Sequence, residues 1–80
     1  MAKVTFEGNE YEYDERELMD YRNIKRIAKA STDMAGFFDA FAAIFCGHDE
    51  EYADMLGGSI EKMGELYAAA ADNEGQTAKN

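Results

Sequence analysis

Proline is absent from these 80 residues, cysteine occurs once, and bases are scarce: 8 Lys and Arg stand against 17 Asp and Glu, a formal net charge of −9. Each shortage excludes something. Without proline, no helix or strand is interrupted by that residue. One cysteine cannot pair within its own chain, so there is no disulfide framework. So strongly acidic a chain lacks the net positive field that phosphate binding draws on, which argues against direct nucleic-acid contact. No apolar run approaches the roughly 20 residues of a bilayer span, and Met1-Ala2-Lys3-Val4 lacks the apolar segment of a signal peptide. A soluble, intracellular protein with no membrane role is expected. No internal repeat is visible, and nothing before the tail is low in complexity.

With 46% hydrophobic and 31% charged residues, the chain can build a core. One small domain over residues 1–71 and a polar, mobile tail over 72–80 are expected. A domain this short buries only about 60% of its unfolded surface, so stability is marginal and a partner helps. Charge is unevenly placed. Residues 1–29 carry −1, whereas residues 30–80 carry −8.

The fold class expected is mainly α, a short N-terminal β-hairpin followed by a three-helix bundle, or four helices if the last one breaks. Over 3–13, Val4-Thr5-Phe6 and Tyr11-Glu12-Tyr13 alternate apolar and polar, the period of a half-buried strand. Gly8-Asn9 suits a two-residue primed turn, setting Phe6 opposite Tyr11 and Val4 opposite Tyr13 with all four on one face. Asp14 and Glu17 make a capping-box-like start for a first helix over 14–30. Its Leu18, Tyr21, Ile24, Ile27 and Ala28 form an apolar stripe, while Arg22, Lys25, Arg26 and Lys29 share another face. A second helix over 34–46 is apolar nearly all round and ends at Gly47 as C′ residue. A third, over 49–71, starts with Asp49 as cap. Tyr52, Met55, Leu56, Ile60, Met63, Tyr67 and Ala70 keep one phase across Gly57-Gly58, which favours a continuous helix bent at the glycines over a break capped by Ser59.

No catalytic set emerges. Asp49-Glu50-Glu51 could be metal ligands, but neighbouring helical residues diverge, and acids stabilised by a helix N-terminus are the simpler reading. Cys46 and His48 lack the further ligands zinc needs, and their spacing alone does not make a nucleophile–base pair. The glycines form no phosphate-cradling loop. The basic face of the first helix reads first as a solvated surface and second as a dock for an acidic protein segment. Neither cofactor nor metal is expected.

The apolar excess is the informative feature. Phe37, Phe38, Phe41 and Phe45, with Met34, Ile44, Met55 and Met63, join Phe6, Tyr11, Tyr13, Tyr21, Leu56 and Tyr67 in a chain too small to enclose them all. Part of this surface is expected to meet a partner or a second copy, and the five methionines make it adaptable. Met34, Phe37, Phe38, Phe41, Phe45, Met55 and Met63 are the candidate partner-binding residues.

The opening Val4-Thr5-Phe6-Glu7-Gly8-Asn9-Glu10-Tyr11-Glu12-Tyr13-Asp14, followed by a charged helix containing Ile24-Lys25-Arg26-Ile27 and then an aromatic-alanine helix, resembles the small tail assembly chaperones of long-tailed bacteriophages over roughly residues 4–70. The resemblance implies a non-enzymatic, oligomeric protein of the host cell cytoplasm. Such a protein would coat the hydrophobic tape-measure protein, help tail-tube subunits assemble around it and leave the finished particle. Apolar helical faces gripping amphipathic helices suit that role, and high net charge keeps a loaded complex soluble. The alternative is an acidic inhibitor of anti-restriction or anti-CRISPR type, whose carboxylates imitate nucleic acid against a host nuclease or defence complex. The −8 in residues 30–80 favours it; the lack of evenly spaced carboxylate rows counts against it.

Overall fold

The computed structural model describes residues 1–79, with side chains through Gly75; Asn80 lies outside the described residues. A two-stranded antiparallel sheet, β1 (Ala2–Phe6) and β2 (Asn9–Tyr13), precedes five helices: α1 (Glu15–Leu18), α2 (Tyr21–Ala28), α3 (Met34–Ile44), α4 (Asp49–Met55) and α5 (Ile60–Lys79). The architecture is mainly α with an N-terminal hairpin, as the residue pattern implies, but the helix count is higher.

The hairpin turn lies one residue earlier than expected. Glu7 (φ 49°) and Gly8 (φ 85°) are its central residues, the two positive φ values that a type I′ turn demands. The register therefore pairs Phe6 with Asn9, Val4 with Tyr11 and Ala2 with Tyr13. Partners shift by two residues relative to a Gly8-Asn9 turn, and a shift of two leaves every side chain on its expected face. Val4, Tyr11 and Tyr13 are accordingly buried.

The single helix expected over 14–30 is two helices. Asp14 caps α1, accepting from the N–H of Arg16 (2.9 Å) and Glu17 (3.3 Å). Asp20 then caps α2 through the N–H of Arg22 (2.8 Å) and Asn23 (3.4 Å). Asn23, only 2% exposed, locks the joint. Its Nδ2 donates to the Glu17 carbonyl (2.9 Å) and Glu17 Oε2 (2.8 Å), and its Oδ1 accepts from Arg26 Nη1 (3.0 Å). A buried amide must be satisfied, and this one takes the carbonyl that a continuous helix would have used. Leu18 is buried and Ile27 half-buried, but Tyr21, Ile24 and Ala28 of the expected stripe face solvent.

The continuous helix expected over 49–71 is also broken. Gly57 (φ 75°) and Gly58 (φ 72°) are left-handed. Gly58 N–H bonds the Ala53 carbonyl at 2.7 Å and Gly57 N–H the Asp54 carbonyl at 3.2 Å, a Schellman ending with glycine at C′. Ser59 Oγ then accepts from Lys62 N–H (3.1 Å) to start α5. The preserved phase was coincidental: Met55 and Ile60 are exposed, and α5 packs instead through Met63, Leu66 and Ala70. The end of α3 repeats the device, with Gly47 N–H on the Ala42 carbonyl (2.8 Å) and Cys46 N–H on the Ala43 carbonyl (3.4 Å). Here Cys46 (φ 60°), rather than Gly47, holds C′. His48, not Asp49, is the N-cap residue of α4.

The tail expected from residue 72 is helical as far as Lys79. Asn73 and Glu74 tie it down: Tyr13 Oη donates to Glu74 Oε2 (2.6 Å) and accepts from Asn73 Nδ2 (2.8 Å). Lys62 of α5 also pairs with Glu7 in the hairpin turn. Between hairpin and helices lies the core, in which Tyr11, Tyr13, Leu18, Ile44, Phe45 and Leu66 are fully enclosed.

Candidate functional site

Three backbone devices shape a groove on the α3–α4–α5 side. Asp33 caps α3 by accepting from Gly36 N–H (3.1 Å), and a Cβ at Gly36 would meet Asp33 Oδ2 at 2.9 Å. The tight cap therefore suits glycine at that position and sets Phe37 and Phe38 in the next turn. The Schellman ending of α4 and the Ser59 cap then swing α5 back so that Ile60 and Met63 face those rings.

The result is an open groove of about 270 Å³ lined by Phe37, Phe38, Phe41, Ala53, Ile60 and Met63, with Gly58 and Ser59 at one end and Asp49 and Glu50 as the charged members of its wall. Phe38 is 52% exposed and Ile60 53% exposed. These side chains leave much apolar area in water, at roughly 25 cal/mol per Å². The floor is stiffened by ring contacts. Phe37 meets Phe38 (centroids 5.5 Å) and Phe41 (4.4 Å), and Phe41 meets Phe45 and Tyr67 (5.6 Å each). Phe45 in turn touches Tyr52 (5.9 Å), which stands edge-on to Tyr11 of the hairpin (4.9 Å). A chain of rings thus runs from the exposed Phe38 to the sheet.

The seven candidate binding residues divide. Phe37, Phe38, Phe41 and Met63 come together in the groove. Met34 and Met55 are exposed but do not line it. Phe45 is wholly enclosed, and Phe41 and Met63 show solvent only a small edge. Phe45, the C-cap residue of α3, is therefore a core residue of the protomer, packed against Phe41 and Tyr52. Ile60 was legible only as a member of a supposed stripe, and Ala53 was not singled out at all. Asp49 and Glu50, weighed in the sequence as ligands, are wall residues of an apolar groove.

Burial, reinforced by the Glu74 hydrogen bond, pushes the Tyr13 hydroxyl up to about 12. Burial also raises the Cys46 thiol, with the carboxylates of Asp14 and Glu12 acting the same way. Its Sγ lies 3.8 Å from Met1 Sδ. Among the described residues, no three His, Cys, Asp or Glu side chains group as metal ligands, and no helix is long and apolar enough to cross a membrane.

No family model, curated protein or solved structure matches the chain.

Proposed function

We propose that this chain is a non-enzymatic chaperone of phage tail assembly that takes apolar faces of tape-measure helices into the groove between α3, α4 and α5. The observation that carries this reading is the pair Phe38 and Ile60, each about half exposed above a floor of Phe37, Phe41 and Met63. Monomeric proteins seldom leave such side chains gathered in water without a use for them. The groove is open rather than enclosed, and its lining is aliphatic and aromatic, the character of helix-in-groove recognition. The sequence resemblance of residues 4–70 to tail assembly chaperones is what supports a tape-measure client and a role in the host cytoplasm. The net charge of −9 keeps a loaded complex dispersed.

Co-expression with an amphipathic helical segment of tape-measure type tests the proposal. Wild-type protein should hold the segment in the soluble fraction, and Phe38→Asp should release it. Equal solubilisation by both would remove the groove from the account. Salt-sensitive binding to a basic nucleic-acid-binding protein, competed by DNA and indifferent to Phe38→Asp, would favour the acidic-inhibitor alternative instead.

A further inference from the structure

Helix α2 sits on the outside of the molecule. It buries Asn23 and half-buries Ile27, leaving Tyr21 (75% exposed) and Ile24 (43% exposed) in solvent. At 100° per residue, Tyr21, Ile24 and Ala28 form one exposed apolar strip, with Lys25 beside it and Lys29 and Arg22 next round the helix. The solvent face of α2 is therefore itself a cationic amphipathic helix, on a protein whose remaining surface is acidic.

The groove presents the complement. Its floor is apolar, and its charged wall residues are Asp49 and Glu50. We propose that the groove of one protomer receives the α2 face of a second copy, with Tyr21 and Ile24 against Phe38 and Ile60 and with Lys25 and Lys29 facing Asp49 and Glu50. The inference rests on the reading of the groove as a helix-binding site, and not on the identity of any client.

Charge chooses the occupant. Arg22 is already paired with Asp20 (3.4 Å), and Arg26 is engaged with Asn23, whereas Lys25 and Lys29 make no ion pair among the described residues. A protomer cannot fill its own groove this way. Its α2 is tied to α1 by the Asn23–Glu17 bonds and lies on α3 through Arg26, whose Cγ is 3.5 Å from a Cβ built on Gly36, and the strip points outward. The contact joins two different surfaces, so each protomer added leaves one groove and one helix free. Where the two surfaces do not pair reciprocally, such a contact continues into a ring or an open chain. A client helix entering the groove would displace the neighbour's α2, so self-association and client binding compete.

Sedimentation velocity on the full chain tests this with two variants, each altered only at exposed residues and checked for fold by circular dichroism. Wild type should associate with rising concentration, and the association constant should fall about tenfold as salt rises from about 0.05 M to about 0.5 M. Lys25→Glu/Lys29→Glu, with groove intact, and Phe38→Asp, with helix face intact, should each sediment as monomers. Mixed in equal amounts they should form a one-to-one dimer, because one complete interface remains. A wild type that stays monomeric overturns the proposal, as does a charge-reversed variant that associates like wild type or a mixture that stays monomeric. The chaperone reading fails separately: Lys25→Glu/Lys29→Glu retains its groove and should still solubilise the client segment, and loss of client binding with self-association intact would sink that reading alone.

Discussion

Tyr13 Oη and Glu74 Oε2 lie 2.6 Å apart although 61 positions separate the residues. This bond closes the chain upon itself, joining the end of the hairpin to the far part of α5, and Asn73 donates to the same hydroxyl. Removing residues 73–80 should therefore cost about 1–3 kcal/mol by leaving a buried hydroxyl without its partners. A truncation that unfolds at the same denaturant concentration as the full chain would contradict the bond.

The same hydroxyl carries a pH signature. Its pKa is raised from 10.0 to about 12 in the folded state, by burial first and Glu74 second. Folding thus favours the protonated form, so this contribution to stability is complete below pH 10 and is lost as pH rises toward 12. Denaturation curves measured across that window should steepen their decline for wild type relative to Tyr13→Phe. Parallel declines would show that Tyr13 titrates as it does in the unfolded chain.

Cys46 and Gly57 occupy equivalent C′ positions in two Schellman endings, both with positive φ. The two sites should respond with opposite signs. Cys46→Gly removes a left-handed penalty of about 1 kcal/mol, whereas Gly57→Ala introduces one. Chemical denaturation of the two single variants checks both, and equal signs would contradict the assignment.

Tyr11 and Tyr52 meet edge-to-face, yet their hydroxyls differ. Tyr52 Oη accepts from Glu12 N–H (3.1 Å), while Tyr11 Oη is buried without a hydrogen-bond partner among the described residues. Tyr11→Phe should be neutral or stabilising by up to about 1 kcal/mol, and Tyr52→Phe should destabilise by about 1 kcal/mol. A Tyr11→Phe variant clearly less stable than Tyr52→Phe would reverse the ordering.

These residues also show what could be foreseen. The hairpin's aromatic face follows from strict alternation, and it tolerates an error of two in the register, so its burial was legible while its turn was not. The breaks at Asp20 and Gly57-Gly58 were hidden by apolar residues that kept helical phase on both sides. What decides them is a side chain bonding locally, as Asp20 and Asn23 do, or a carbonyl bonding a left-handed glycine, and periodicity carries neither signal. Phe37, Phe38 and Met63 were recognisable as candidates from apolar excess alone. That Ile60 crosses from α5 to complete the groove depends on the angle at which α5 leaves Ser59, and that Phe45 lies inside depends on its packing against Tyr52 of α4, tertiary facts absent from any window of sequence.

The proposed function turns on the groove. Its most direct measurement is the affinity of an amphipathic helical peptide of tape-measure type for wild type and for Phe38→Asp, by fluorescence anisotropy with folding verified for both. Saturable binding by wild type, weakened at least about tenfold in the variant, is expected, since an interface anchor of this kind contributes about 1–3 kcal/mol. Equal affinity in the two proteins, or no binding by either, would contradict the groove as a helix-binding site.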